Sequence, residues 1–296
     1  MAIPEGRNKH VGEVWYKGAH FDDLIVRLEE APLKPQQKMN ILIFYLIPRV
    51  IYGLVISAKS KTYLHQIDRR IRSAVRLFLH LPQDVPVAFI YAAVGDGGLG
   101  VTCLATMIPR VRRSRLLGVQ CAGECMLEGL ETMAAWGEEV ERAGKGVKFK
   151  GVTIESRTQE RNYWRDQLLQ MVDTRGSREA RACTAAAFVR NPPHFLNGRE
   201  HVDLIKVRAH ALPTKTRCAR GRAKDTRCRA GCAFPETHAH AIQVCPRSYA
   251  PRLERHNCVA RWIAGKLRED GCTVSEEPRI TVKRRKQIPR LNLCKG

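Results

Sequence analysis

Four side chains that can bind a metal ion lie close together in the stretch "CRAGCAFPETHAHAIQVC". Three residues separate Cys228 from Cys232, seven separate Cys232 from His240, and four separate His240 from Cys245. Thiolates and a neutral imidazole are the ligands that Zn²⁺ prefers, four of them in a tetrahedron. The spacing H-x4-C places its two residues about one helical turn apart, on one side of a helix. The stretch therefore predicts a structural zinc site.

The fourth ligand and the metal itself are each open to an alternative at this point. His238 lies two residues before His240, and either imidazole could complete the set. The cysteines could also pack, reduced, in a small core. Gly231 favours the metal site, because glycine adopts the backbone angles that a tight ligand loop requires.

The charge of the chain indicates a polyanionic partner. Its 51 lysines and arginines against 29 aspartates and glutamates give a formal net charge of +22. Such an excess repels itself and is tolerated where a polyanion neutralises it, so nucleic acid is the expected partner and an anionic membrane surface the second possibility. No uncharged apolar run reaches the roughly 18 residues of a bilayer span, so none is expected. The start, "MAIPEGRNKH", lacks a secretory signal, and the 11 cysteines are expected to be reduced.

Two stretches imitate catalytic motifs. "GDGGLG", from Gly95 to Gly100, fits the dinucleotide pattern and follows the strand-like "VAFIYAAV", but arginines stand where an acid would bind a ribose. We expect a plain turn in which Asp96 and the glycines adopt positive φ. Asp22 and Asp23 are expected to open a helix, where acids favour the positive end of the dipole. No upstream strand supplies the third carboxylate of a two-metal site, so no catalytic residue is expected.

Apolar spacing predicts several helices. A helical hairpin is expected to begin at Pro35, to be buried over residues 38–46, and to be kinked or ended by Pro48. The most regular helix runs from about Ser60 to His80, with apolar residues every three or four positions. That stripe comprises Leu64, Ile67, Ile71, Val75, Phe78 and Leu79.

Further helices are expected over residues 104–119, over 127–143, over 158–174, and from 201 to near Pro213. The glycines and lysines of "GKGVKFKG" predict a hinge.

Arginines cluster off the apolar faces of two of these helices and in the loop around the first cysteine of the metal stretch. A solvated face is the usual role of a charge run, but few acids accompany these arginines, which favours contact with phosphates. The set comprises Arg69, Arg70, Arg72, Arg76, Arg110, Arg112, Arg113, Arg115, Arg217, Arg220, Arg222 and Arg227.

Several blocks of the chain resemble one family. "APLKPQQKMNILIFYLIPRVIYGLV", "LHQIDRRIRSAVRLFLHLPQDVPVAFIYAAVGDGGLGV" and "MIPRVRRSRL" resemble the region after the polymerase palm in the Pol protein of site-specific non-LTR retrotransposons of the R2 clade, which insert into ribosomal RNA genes. "VRAHALPTKTRCARGR", "CRAGCAFPETHAHAIQVCPR" and "RLERHNCVARW" resemble that family's linker and CCHC zinc knuckle. The resemblance runs from about residue 31 to residue 282 and is weakest over 120–190.

The resemblance implies a mainly α chain with a thumb-like helical bundle, a helical linker and a small knuckle. It favours His240 over His238 as the fourth zinc ligand. It also places Arg247, Arg255 and His256 beside the knuckle as nucleic-acid contacts. The implied domains are the end of the palm or an irregular lead-in (1–30), the thumb-like region (31–119), the linker (120–215), the knuckle with its basic flank (216–262) and a truncated start of the endonuclease (263–296).

The family's Pol protein is an RNA-directed DNA polymerase and endonuclease that primes synthesis on nicked target DNA. Neither catalytic centre is expected in this chain. The polymerase signature would lie upstream of Met1. "GCTVSEEPRI" resembles the opening of the nuclease, but the residues after it, "TVKRRKQIPRLNLCKG", do not resemble the nuclease's catalytic residues. The resemblance thus implies a fragment that binds element RNA and target DNA in ribosomal RNA genes.

The expected cofactor is a structural Zn²⁺, with Mg²⁺ expected only for the missing catalytic domains, and the expected compartment is the nucleus. Two alternatives stay open: a host-retained, zinc-dependent nucleic-acid-binding protein derived from such an element, and a non-functional decayed copy.

Overall fold

The computed structural model describes residues 18–56, 59–120, 141, 146–171, 184–219, 222 and 225–275. These residues are mainly helical, as the sequence predicted, and the chain divides into two compact units, residues 1–211 and 212–296. The helices and strands of the first unit are α1 (Gly18–Glu30), α2 (Pro35–Ile41), α3 (Ile47–Ile56), α4 (Lys61–Phe78), α5 (Val87–Tyr91), α6 (Leu104–Gln120), β1 (Val147–Phe149), β2 (Val152–Ile154), α7 (Arg157–Leu169) and α8 (Gly198–Arg208). Those of the second unit are α9 (Lys215–Ala219) and α10 (Tyr249–Glu269), with a π-helical turn at His240–Val244 and a 3-10 turn at Pro246–Ser248 between them.

Helix α4 forms the centre of the first unit. It begins because the Ser60 hydroxyl accepts a hydrogen bond from the backbone N–H of Tyr63 at 3.2 Å, which satisfies one of the unpaired donors of the first turn. All six residues of its apolar stripe are buried, with Ile71 and Val75 fully enclosed. The prediction of a helix with one apolar face is confirmed here.

The segment from Pro35 to Ile56 is one continuous helix of three parts. Pro35 occupies the first turn of α2, as predicted. A π-helical stretch, Leu42–Leu46, then leads directly into α3, so Pro48 neither ends nor breaks the helix. The wider π-turn gives the proline ring room against the preceding turn, where a regular α-helix would clash. The expectation that residues 38–46 are buried is wrong for Phe44 and Tyr45, which are 54% and 69% exposed.

The same 22-residue helix is long and apolar enough to cross a membrane, by length and composition only. It also supplies Leu42, Ile47 and Leu54 to the core of the first unit, where each is fully buried. A core helix passes the same test of length and composition, so this property is weak evidence for a membrane span.

The stretch from Val87 to Gly100 is a short helix and a tight turn. "VAFIY" forms α5 and not a strand; a short apolar run is compatible with either, and four of its five side chains are buried. The glycine stretch is a turn, as expected, with φ of 103° at Gly97 and 66° at Gly100. Asp96 does not adopt positive φ; its carboxylate instead accepts two hydrogen bonds from Arg161, at 2.6 and 3.1 Å.

Residues 147–154 form an antiparallel hairpin where a hinge was predicted. Val147 pairs with Ile154 and Phe149 with Val152. The connecting residues Lys150 and Gly151 both have positive φ, 45° and 82°, which is the geometry of a two-residue hairpin turn.

Two helices end on a histidine in the left-handed region. His80 follows α4 with φ of 46°, and His210 follows α8 with φ of 51°. The N–H of Ala211 then bonds to the carbonyl of Lys206 at 2.7 Å and closes the helix end. Helix α8 therefore ends at Arg208, before the predicted end near Pro213.

Helix α6 lies where it was predicted, and α7 begins at its predicted start but ends at Leu169, before the predicted end at 174. The described part of helix α1 starts at Gly18, so Asp22 and Asp23 lie at least one turn inside it and do not open it. The expectations for residues 1–17, for the helical stretch over 127–143 apart from Glu141, for Arg220 and for residues 276–296 lie outside the described residues.

Candidate metal centre and basic side chains

Three sulfurs and one imidazole nitrogen converge in the second unit. Cys228, Cys232, His240 and Cys245 each offer one ligand atom, and these atoms all lie within 4.8 Å of one another. Cys228, His240 and Cys245 are buried and Cys232 is half-buried. The convergent group includes His240 and not His238.

A narrow loop presents the first two cysteines. A β-bridge joins Arg227 to Pro235, and the N–H of Cys228 donates to the carbonyl of Phe234 at 3.0 Å. Gly231 closes the turn with φ of 80°, in the left-handed region that favours glycine. The turn brings both sulfurs to one side of the loop.

A π-helical turn presents the other two ligands. The His240 N–H donates to the Thr237 hydroxyl at 3.1 Å, and the Cys245 N–H donates to the His240 carbonyl at 2.8 Å. The H-x4-C spacing thus spans one turn of helix, with both side chains on the same side.

The donor set fits Zn²⁺. Two sulfurs bound at about 2.3 Å to a tetrahedral ion would lie about 3.8 Å apart, and the Cys228 and Cys245 Sγ atoms are 3.8 Å apart. Cys232 Sγ lies 3.1 Å from Nε2 of His240, and the N–H of Ala230 donates to the Cys228 sulfur at 3.4 Å. An amide directed at a ligand sulfur stabilises the thiolate form that a metal requires.

The cysteines influence one another's protonation. Burial, together with hydrogen bonds and charge from Cys228 and Cys245, raises the pKa of Cys232 to about 11. Burial also opposes ionisation of Cys245, but hydrogen bonds from the backbone of Arg247 and from the neighbouring cysteines outweigh it and lower the pKa of Cys245. A divalent cation would have to displace the remaining protons, because the thiolate is the ligand form.

Glu236 fixes the cysteine loop and was missed by sequence reasoning. It is 6% exposed, and its carboxylate accepts hydrogen bonds from the N–H groups of Arg229 at 2.9 Å and Lys215 at 3.1 Å. Burial alone would raise the pKa of this carboxyl, but those hydrogen bonds and the charges of the same two residues lower it on balance. The only signal in the sequence was that Glu236 is the one acidic residue between Asp225 and Glu254.

The arginines of α4 were expected to lack matching acids, and the structure contradicts this for Arg70. Its guanidinium makes two hydrogen bonds to the Glu29 carboxylate, at 2.7 and 3.0 Å. Arg72 donates to the hydroxyl of Tyr91 at 2.8 Å, and Arg76 donates to the Val85 carbonyl at 3.3 Å.

Arg69 is exposed and borders a cavity of about 260 Å³ between α1 and α4. Among the four predicted residues of α4, the exposed Arg69 has the position that suits contact with phosphate.

The arginines of α6 also divide into engaged and exposed side chains. Arg110 lies 3.1 Å from Glu160 and Arg113 lies 3.6 Å from Glu155. Arg112 is half-buried and Arg115 is exposed. Glu155 lies directly after β2 and Glu160 lies in α7, so both acids are about 40 to 50 residues from their arginines and no local pattern predicts the pairing.

The second unit carries most of the exposed candidates. Arg222, Arg247, Arg255 and His256 are exposed and Arg217 is half-buried. The Arg227 side chain is 75% exposed and lies 3.0 Å from Asp225.

Comparison with known proteins identifies relatives over most of the chain. No family model matches it. It is 38% identical over 257 residues to the retrovirus-related Pol polyprotein from type-2 retrotransposable element R2DM of Drosophila melanogaster, covering 86% of this chain and 24% of the relative. It is 34% identical over 242 residues to the Pol polyprotein from type-1 retrotransposable element R2 of Bradysia coprophila, covering 81% and 28%. The corresponding protein of Nasonia vitripennis is 32% identical over 86% of this chain and 24% of the relative.

The chain thus spans about a quarter of the length of these relatives. The identity is spread over most of the chain, as the resemblance of its separate blocks implied. The chain belongs to the family of R2-type non-LTR retrotransposon Pol polyproteins.

Proposed function

We propose that this chain is the nucleic-acid-binding portion of an R2-type Pol polyprotein, a protein that acts as RNA-directed DNA polymerase and endonuclease in target-primed reverse transcription. Residues of its first unit form the thumb-like bundle and linker, and the second unit holds the zinc knuckle. The chain binds element RNA and target DNA in ribosomal RNA genes and contributes no catalytic residue.

The observation that carries this proposal is the convergence of Cys228, Cys232, His240 and Cys245 in a chain of net charge +22. A bound Zn²⁺ would tie the cysteine loop to the π-helical turn, because each contributes two ligands. The 3-10 turn Pro246–Ser248 and then α10 follow that turn, so metal binding would fix the positions of the exposed Arg247 and Arg255.

The charge of the second unit supports the same role. Exposed arginines suit phosphate contacts, which position a protein on nucleic acid without reading its sequence. Arginines that are already bound to carboxylates, such as Arg70 and Arg110, contribute to the fold instead.

The test combines zinc content with affinity for RNA and for duplex DNA. We expect about one equivalent of zinc in the wild-type chain, and loss of the zinc and of tight binding in the double variant Cys228→Ser/Cys245→Ser. The matched control is Cys218→Ser/Cys258→Ser, since both of these cysteines are exposed and lie outside the cluster. A zinc-free wild-type chain, or a ligand variant that binds as well as the control, would refute the proposed role of the metal.

A further inference from the structure

Trp262 is a large apolar side chain that stands in solvent. It lies in the second half of α10 and is 66% exposed. Ala264 is the buried residue of this 21-residue helix. Most tryptophans of folded chains are largely buried. With the exposed Val259 three residues earlier, Trp262 forms an apolar patch on the helix, and such patches mark surfaces that meet another molecule.

The helix places Trp262 in a stripe of basic and apolar side chains. Arg255, Val259, Trp262 and Lys266 follow at intervals of four, three and four residues, which brings them onto one face of an α-helix. Arg255 and Lys266 are exposed, and Val259 is 52% exposed. Lys266 lies 2.6 Å from Glu269 at the helix end, so Arg255 is the more available cation. The helix as a whole has five lysines and arginines against two glutamates.

The chemistry of this stripe distinguishes between two kinds of partner. The centre of a protein interface is depleted of charged residues, whereas here cations stand on both sides of the indole. An exposed aromatic face between cations is the arrangement on which nucleic-acid bases stack while the phosphates are neutralised. In a duplex both faces of each base are covered by neighbouring bases, so only an unpaired base can stack on a side chain.

We propose that Trp262 is a stacking residue for an unpaired base and that α10 is a single-strand binding surface. This inference rests on the proposed function and adds the kind of nucleic acid that the second unit takes. Single-stranded RNA and single-stranded DNA offer the same base faces and phosphates, and both belong in the test.

The variants are chosen so that charge and folding stay constant. Trp262→Leu keeps an apolar side chain with good helix propensity but has no aromatic face, and Trp262→Phe restores the face. Val259→Ala is the control from the same stripe. Far-ultraviolet circular dichroism and zinc content establish that each variant has folded.

The measurement is the affinity of the full chain for a fluorescent single-stranded RNA, a single-stranded DNA of the same sequence and the corresponding DNA duplex. We expect Trp262→Leu to weaken single-strand binding about 10-fold, which corresponds to the range of one base stacked on one aromatic side chain. Trp262→Phe and Val259→Ala should stay within about 2-fold of the wild type, and duplex binding should not change. If Trp262→Leu weakens binding to only one of the two single strands, the stacked base belongs to that kind of strand, and this result also supports the inference.

Two results would overturn the inference: single-strand affinity of Trp262→Leu equal to that of the wild type, or an equal loss on duplex and single strand. A wild-type chain that binds none of the three probes would instead remove the proposed function itself.

Discussion

Glu236 shows how a single carboxylate can determine the geometry of a metal loop. Its two oxygens accept the N–H of Arg229, next to the first cysteine, and the N–H of Lys215. Both hydrogen bonds are charge-assisted and part-buried, and the Glu236 side chain that accepts them is buried, so removing it leaves two donors without their partner.

We expect Glu236→Gln to lower zinc affinity about 10-fold, which is the lower end for residues that orient metal ligands from outside the coordination shell. An amide keeps one acceptor oxygen but replaces the other with a donor that faces an N–H. Competition with a chromophoric chelator measures the affinity. Glu254→Gln, an exposed glutamate of α10, is the matched control, and equal zinc affinity in both variants would contradict this role.

Asp68 plays a comparable part in the first unit, where it caps a helix distant in sequence. Its carboxylate is 1% exposed and accepts the N–H groups of Leu104 and Ala105, both at 2.9 Å, at the start of α6. We expect Asp68→Ala to lower the free energy of unfolding by about 3 kcal/mol, because two buried donors lose their partner. Asp68→Asn should cost less, since its amide oxygen still accepts one of them. Urea unfolding measures both.

The same residue predicts a pH dependence. Burial raises the pKa of Asp68 above its usual 3.8, although hydrogen bonds from Leu104 and Ala105 oppose the shift. The native state therefore holds this proton more tightly than the unfolded chain does, and the contribution of Asp68 to stability falls as the pH rises from 3.8 through its raised pKa. In Asp68→Asn this contribution should disappear. A wild-type and an Asn variant with parallel stability profiles over that range would contradict the assignment.

At the scale of elements, the turn over residues 94–100 joins the first unit together. The backbone of this turn runs back along α5. Three arginines from later segments donate hydrogen bonds to the turn: Arg161 to the Asp96 carboxylate, Arg190 to the Gly100 carbonyl at 2.6 Å, and Arg208 to the Gly97 carbonyl at 3.1 Å. The glycines allow close packing, because a Cβ at Gly98 would meet the Ala92 carbonyl and one at Gly100 would meet the Arg190 guanidinium.

Gly98 is the most constrained position of this turn. A Cβ atom there would lie 2.2 Å from the carbonyl oxygen of Ala92, a backbone atom that cannot move without disrupting α5. We expect Gly98→Ala to destabilise the first unit by about 3 kcal/mol, at the upper end for overpacking. In contrast, a Cβ at Gly118 in α6 meets nothing within 4 Å among the described residues, and Gly118→Ala should stabilise by about 0.5 kcal/mol through helix propensity. Thermal unfolding of the two variants compares them directly, and a Gly98→Ala melting temperature at or above the wild-type value would contradict the packing argument.

At the scale of the whole molecule, the net charge of +22 overstates the cations available for binding. Several arginines of the first unit are bound to carboxylates or carbonyls, so only the exposed ones can release counterions from a phosphate backbone. Affinity for nucleic acid should therefore fall steeply as the salt concentration rises. The slope of log affinity against log salt should reflect only the exposed lysines and arginines.

Two adjacent arginines test this division. Arg69→Ala should lower the slope of log affinity against log salt by about one and leave stability unchanged, because Arg69 is exposed. Arg70→Ala should leave the slope unchanged and lower stability by about 1 kcal/mol, because its partner Glu29 is largely shielded from solvent. Fluorescence anisotropy at several salt concentrations, with urea unfolding, separates the two effects. The opposite assignment of effects would show that Arg70 and not Arg69 meets the phosphate.

The sequence by itself determined the features that depend on short spacings. One such feature is the set of four ligand candidates, which lie within one loop and one helical turn. Another is the apolar stripe of α4, which repeats every three or four residues. Both are local patterns, so residue types and intervals were enough to predict them. Even the preference for glycine at Gly231 follows from the local turn.

The tertiary structure decided what depends on residues far apart in the chain. Arg70 is hydrogen-bonded to Glu29, 41 positions away, and Arg110 to Glu160, 50 positions away. The sequence could therefore not show which arginines are available for binding nucleic acid. The short apolar run of α5 is compatible with a strand or a helix, and its packing in the core of the first unit decides between them. Glu236 joins the cysteine loop through hydrogen bonds from Arg229 and from Lys215, 21 positions earlier. In each case the deciding energy is burial or pairing with a distant partner, which no interval along the chain records.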